Sequence, residues 1–324
     1  MIGRLARRAR QALASLPSRL HPKGQRINWY FATNEAGCEG DQGLHAKLAV
    51  LSALRNTRLV PHLITTGFRN DFTRWMEDHG VKLVNATLPF SEVIEAAALN
   101  GTYSRAYIGH WLRCEIPLIE RKQEFVLYTD TDVVFLKPVR LGHLRPFLFA
   151  SAPEFQLEGA NYVNTGVMLM NVRRMRASAP GFFDYIRGEI AKANGTYHDQ
   201  YAYNRYYRNH WTALDPLYNW KPYWPTSPAA TVMHFHGAKL NGIRTVLDGS
   251  ASYEDGWWRV IGSLVASFQP SYAAAVRAAL AALGDIELPE RSWIEGIAYD
   301  LETKAAPVPS EVLDLSFMNY KVVY

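Results

Sequence analysis

Cysteine is nearly absent: Cys38 and Cys114 are the two in 324 residues, and neither stands at metal-ligand spacing. At most one disulfide is available, so a cysteine-framed secreted scaffold is excluded and a reducing, cytoplasmic setting is the expectation. Long apolar runs are missing as well, and no stretch reaches the length that spans a bilayer. There is no internal repeat and no low-complexity linker. Acid is absent before Glu35, whereas Arg4, Arg7, Arg8, Arg10, Arg19, Lys23 and Arg26 all fall in that opening segment. The formal charge of +5 is therefore largely a basic amino-terminal arm. Leu5, Ala9, Leu13 and Leu16 recur at helical spacing within it, a pattern suited to a short amphipathic helix lying on an anionic membrane surface through residues 1–20. A solvated arm explains the same charges. No continuous apolar core follows them, so a cleavable signal peptide is not expected. The triplets at Asn85, Asn100 and Asn194 match glycosylation acceptors, but such triplets arise freely by chance.

What is present is ordinary globular composition, with 48% hydrophobic and 20% charged residues. The length allows one large α/β domain with an appendage, or two domains. Residues 27–33, 59–64 and 81–84 read as strands separated by helices over 44–55 and 71–79, and a helix over 104–119, kinked or ended by Pro117, leads to a strand at 125–128. Strands follow at 165–172 and 231–236, with helices at 181–193 and 198–208. The alternation predicts a mostly parallel sheet of Rossmann-like type, whose ligands bind at the carboxyl ends of the strands. Residues 1–26 are read as the arm, 27–248 as the nucleotide-binding domain and 249–324 as a helical extension. The tyrosine-rich run from Tyr197 to Tyr207 suits a carbohydrate platform or, equally, a core helix face.

The densest chemistry lies at Phe125 to Asp132, FVLYTDTD, where a strand of buried composition delivers Asp130 and Asp132 one residue apart. Two carboxylates at i and i+2 on one side of the chain can converge on a hard divalent cation able to neutralise a diphosphate. A pair of turn-capping aspartates is the plainer alternative. Thr33 and Asn34, at the end of the first strand, share the same predicted rim.

Several segments, in order, resemble the retaining glycosyltransferases of family 8, which include bacterial lipopolysaccharide galactosyltransferases, glycogenin and galactinol synthases. They are YIGHWLRCEIP with Arg113, YTDTDVVF, NTGVMLMNVRRMR from Asn164, HDQYAYN from His198, LDPLYNW from Leu214, and MHFHGAK from Met233. The resemblance covers roughly residues 27–241 and implies a GT-A fold in which Asp130, Asp132 and His234 hold Mn²⁺, or Mg²⁺, on the diphosphate of a UDP-sugar. It further implies that Arg113, Asn164, Gly237 and Lys239 bind the donor, with Thr33 and Asn34 on the nucleoside and Glu154 a candidate for the sugar hydroxyls. Asp199 and Gln200 fall beside the anomeric carbon. Gln200 is a poor nucleophile, so front-face attack by a glycan acceptor is favoured, the two side chains orienting the positive sugar. The last motif departs from the family's, because only Ala238 separates Gly237 from Lys239 and no Pro-Trp follows. His236 is a rival to His234 as ligand. No nucleic-acid partner is expected. A haloacid-dehalogenase-like phosphatase with Asp130 as nucleophile and Asp132 as acid/base is the alternative. Its downstream Gly-Asp-X-X-X-Asp motif is missing. A catalytically silent sugar-nucleotide binder is a third reading.

Overall fold

A computed structural model describes residues 26–158, 161–192 and 197–319, so the arm before Arg26 and the acceptor triplet at Asn194 lie outside the described residues. The chain begins with β1 (Asn28–Ala32), α1 (Gly40–Asn56), β2 (Val60–Thr65), α2 (Asp71–Asp78), β3 (Lys82–Asn85) and α3 (Ser91–Leu99). After a run of short helical turns come β4 (Phe125–Thr129), β5 (Val133–Phe135), β6 (Phe149–Pro153), β7 (Val163–Asn171) and α4 (Val172–Lys192). Then follow α5 (Asp199–Tyr206), β8 (Trp211–Ala213), β9 (Val232–His234), α6 (Leu240–Leu247), α7 (Gly256–Ser267), α8 (Gln269–Leu283) and α9 (Arg291–Thr303).

One seven-stranded sheet runs in the order β3-β2-β1-β4-β7-β6-β8, and every pairing is parallel except the two made by β7. Alternation along the strands splits the core into two layers. Tyr30, Val126, Tyr128, Met168 and Met170 face α3, α4 and α5, whereas Trp29, Phe31, Leu127, Val167 and Leu169 face α1. Burying one large apolar side chain contributes about 1.5–3 kcal/mol. A one-residue slip would exchange the two sets, so the register is firmly specified.

Helix α1 is apolar on two sides. Ala46, Ala49, Val50 and Ala53 meet the sheet, while Leu44, Leu48 and Leu51 meet Val276, Ala279 and Leu280 of α8. The helices beyond residue 249 thus share a core with α1.

The helix expected over 104–119, with a kink or an end at Pro117, is four short turns, Arg105–Tyr107, Ile108–Trp111, Leu112–Glu115 and Ile116–Ile119. Pro117 has no N–H to return to Arg113, whose carbonyl accepts from Ile116 and tightens the turn. Tyr203 and Tyr207 are core residues on the α5 side, as is Tyr197, whereas Tyr201 is partly exposed. Cys38 and Cys114 are buried free thiols. No helix among the described residues is long and apolar enough to cross a membrane.

Candidate metal and donor site

Strand β4 is held on both sides, by β1 and β7, and delivers Asp130 with its backbone N–H bonded to the Gly166 carbonyl at 2.8 Å. The chain then turns into β5, which pairs antiparallel with β9 so that Val133 stands opposite His234. This two-stranded ribbon carries a histidine from a hundred residues downstream to the aspartate pair. One ligand atom from each of Asp130, Asp132 and His234 lies within 4.8 Å of the others.

The tautomer of His234 follows from a chain of hydrogen bonds anchored on backbone donors. Gly166 N–H donates to Asn164 Oδ1 at 3.0 Å, so the Asn219 group 2.9 Å from that same oxygen is its Nδ2. Asn219 Oδ1 then faces His234 Nδ1 at 2.8 Å and accepts its proton. Nε2 then carries the lone pair whenever the imidazole is neutral. It points at Asp132 Oδ1 across 3.2 Å, with Asp130 Oδ2 at 4.0 Å. Two electron-rich atoms at that separation require a proton or a cation between them, and Asp132 Oδ1 is buried without a hydrogen-bond donor. Two carboxylate oxygens and an imidazole nitrogen suit a divalent cation, and the residues fit such an ion.

The remaining predicted residues gather around this centre. Asp132 Oδ2 meets Lys239 Nζ at 2.6 Å. Burial opposes ionisation of Asp132, but the Lys239 ammonium outweighs it and holds the carboxyl well below its ordinary range. The shortened motif therefore keeps its lysine at the site. Gly237, at φ +83°, makes the left-handed turn that returns the chain, and Lys239 caps α6. The start of α6 is fixed by two residues with no motif to mark them: His45 Nε2 accepts from Leu240 N–H, and Asp41 Oδ2 from Asn241 N–H, both at 3.2 Å. Burial lowers the pKa of His45 to about 3 and raises that of Asp41 to about 6.

Arg113 is buried between two carboxylates, with Nη2 donating to Asp130 Oδ1 at 2.8 Å and Nε 2.6 Å from Asp199 Oδ2. Nη1 donates to the Thr165 carbonyl at 2.7 Å, and the guanidinium lies 4.4 Å from the centre of the Tyr128 ring. Burial would lower its pKa, yet Asp130 and Asp199 reverse the balance and raise it. Asp199 opens α5 as a buried ion-pair partner, not as the cap, which is His198. Gln200 Oε1 accepts from Thr165 N–H at 3.0 Å and from Asn164 Nδ2 at 3.2 Å. Gln200, Asn164, Asn219 and His234 thereby form one relay to the metal centre.

His236 turns away from the cluster. Its Nε2 meets Glu154 Oε1 at 3.1 Å and its Nδ1 meets the Tyr223 hydroxyl at 2.9 Å, so of the two histidines it is His234 that lies with the aspartate pair. Glu154 is held ionised by His236 against the pull of its burial, and its Oε2 is buried with no partner. Lys221 lies beneath this region, fully buried, with Nζ donating to the Pro153 carbonyl at 2.7 Å. Thr33 and Asn34 follow β1, and Asn34 Oδ1 accepts from Gly37 N–H at 3.0 Å.

No family model matches the chain. Glucoside xylosyltransferase 1 of Danio rerio is 38% identical over 84 residues, 20% of this chain and 21% of that protein. The chain thus matches about a fifth of that curated relative's length. Among solved structures, the galactosyltransferase LgtC in complex with donor and acceptor sugar analogues is 15% identical, with 82% of this chain and 99% of that one covered at a TM-score of 0.50. WbbM, a bifunctional glycosyltransferase, is 13% identical over 85% of this chain and 52% of its own, also at 0.50. At these identities the likeness establishes the fold, the GT-A type that the sequence resemblance implies.

Proposed function

We propose that the protein is a metal-dependent retaining glycosyltransferase that moves a hexose from a UDP-sugar to a glycan or other hydroxyl acceptor. One observation carries this reading: Asp130, Asp132 and His234, whose Nδ1 is taken by Asn219 Oδ1 so that Nε2 faces the aspartates, converge at the end of β4. A bound Mn²⁺ or Mg²⁺ would draw negative charge from the departing diphosphate as the anomeric carbon becomes positive.

The chain's own residues supply the rest. Lys239, 2.6 Å from Asp132, is a cation at the diphosphate side, and Arg113 fixes Asp130 and Asp199 relative to each other. Asp199 places negative charge near the developing oxocarbenium ion, while Gln200, held by Thr165 and Asn164, orients it for attack from the same face. The unpartnered Glu154 Oε2 is suited to accept from a donor hydroxyl, alongside Asn164. Thr33 and Asn34 are assigned to the nucleoside, and Gly237 to the phosphate loop. An acceptor in a surface glycan such as lipopolysaccharide, and peripheral contact of residues 1–20 with the inner face of a membrane, complete the reading.

Calorimetric titration of UDP, once with Mn²⁺ and once with EDTA, tests it. Tight binding only with Mn²⁺ is expected in the parent and absent in Asp132→Ala. Metal-independent binding of equal strength would sink the assignment. UDP-galactose, UDP-glucose and UDP-xylose then distinguish the sugar.

A further inference from the structure

The end of the sheet opposite Asp130 also carries a concentrated charge, of the other sign. Because β7 runs antiparallel to β4 and β6, its carboxyl end joins the amino ends of β1, β4 and β6 on one rim. The segments there present Arg26, Arg121, Lys122, Arg145, Arg173 and Arg174, all exposed. Short-range contacts tie them into one face. Arg26 and Arg145 line a common shallow depression with Phe125, and the Arg145 guanidinium lies 5.1 Å from that ring. Asn171 joins the neighbouring loops, its Nδ2 donating to the Pro146 carbonyl at 3.2 Å and its Oδ1 accepting from Arg174 N–H at 3.1 Å. The Arg174 guanidinium covers Phe147 at 4.6 Å, and that ring is still 55% exposed. None of these six cations is in an ion pair among the described residues, and Glu124 is an exposed carboxylate set among them.

We propose that this rim docks on an anionic lipid bilayer. Unpaired cations keep their full long-range attraction for a negative surface, and a half-exposed phenylalanine beside them suits the headgroup boundary. Arg26 is also the point where the chain continues into residues 1–25, whose sequence adds six cations, no acid and apolar residues at helical spacing. The sequence of that arm is a second basic signal contiguous with Arg26. β4 runs from this rim to Asp130, so the five residues of the strand set the candidate catalytic centre about 17 Å further from the lipid and on the opposite end. A docked molecule would work on acceptor hydroxyls that stand clear of the headgroups. The proposal does not depend on the glycosyltransferase reading.

The test is sedimentation of the full chain with phosphatidylglycerol-containing vesicles and with pure phosphatidylcholine vesicles. The parent should bind the anionic vesicles, and more weakly as salt rises. The combination Arg145→Glu, Arg173→Glu and Arg174→Glu, with the arm unaltered, should reduce partitioning on the order of a hundredfold. Arg121→Glu with Lys122→Glu, which disturbs no ring contact, should weaken it in the same direction. Binding of UDP with Mn²⁺ serves as the control and stays at the parent value. Vesicle binding by both variants equal to the parent's would overturn the proposal, as would equal parental binding to neutral vesicles or displacement from anionic vesicles by duplex nucleic acid at equal charge.

Discussion

Opposite ends of the same sheet handle charge in opposite ways. At the carboxyl rim, Arg113, Asp130, Asp132, Asp199, His234 and Lys239 are packed against one another, several almost fully buried, and each is held by partners at hydrogen-bonding distance. At the amino rim, six cations stand in solvent without a carboxylate partner. Removing a charge from water is costly, so the first arrangement is tolerable only when pairing and hydrogen bonding are nearly complete. The second costs little, because solvent screens it. What distinguishes a chemical site from a docking face here is therefore geometric restraint, not charge. Carboxyl-rim substitutions should act through displacement, and amino-rim substitutions through net charge alone.

The largest effect is expected where that restraint is steric. A Cβ at Gly166 would stand 2.3 Å from His234 Cε1, 2.8 Å from Asp130 Oδ2 and 2.9 Å from Asn164 Oδ1. β7 is buried along all nine residues and cannot yield, so in Gly166→Ala the two metal ligands must move. A misplacement approaching 1 Å costs about a hundredfold in such a site. Mn²⁺ affinity, read by the loss of the free-ion electron paramagnetic resonance signal, should fall by about that factor, with circular dichroism unchanged. Parental affinity would show that the carboxyl rim is looser than its packing indicates.

A smaller loss is expected at Asn219. Asn219→Leu removes the acceptor that fixes the His234 tautomer and should weaken Mn²⁺ about 10–100-fold, the usual effect of removing a residue that orients a metal ligand. Asn219→Asp keeps an acceptor for Nδ1–H but loses the donor to Asn164. It should retain most metal affinity and lose orientation of Gln200. Separate titrations of Mn²⁺ and measurements of turnover distinguish the two halves of the relay. Equal damage in both variants would mean that Asn219 acts only by filling space.

The same restraint explains how much was legible in the sequence. Asp130 and Asp132 were visible because a strand and a polar pair are local patterns. His234 entered only through the order of resembling motifs, since its place depends on β5 and β9 pairing across a hundred residues. Asn219 lay inside a recognised segment, yet its role exists only once Asn164, Gly166 and His234 are assembled. Asp41, His45 and Lys221 have no local mark at all; burial and tertiary contacts define them. Among elements, β6 escaped because FASAP is buried on both faces and so shows no alternation, and β8 is three residues long. In the helix over 104–119 the break near Pro117 was legible, whereas those after Tyr107 and Trp111, upstream of the proline, leave no mark in the periodicity.

The smallest predicted effect concerns a charge that the carboxyl rim pairs incompletely. Lys221 is buried among backbone carbonyls and 4.1 Å over the Trp224 ring, and burial lowers its pKa from 10.5 to about 7 while Glu154 works the other way. In the unfolded chain the amine keeps its proton to higher pH, so between about pH 7 and 10.5 the unfolded state binds more protons and stability rises with pH. Below that window the folded chain bears the full cost of a buried ammonium. Lys221→Met removes the titration but keeps the volume. In chemical denaturation with EDTA present, the stability of the parent relative to Lys221→Met should improve by roughly 2 kcal/mol from pH 7 to pH 9. A constant difference would mean that the ammonium stays charged throughout, compensated by the Pro153 and Asn219 carbonyls and by the ring. The carboxyl rim would then be as fully paired at its base as it is around Arg113.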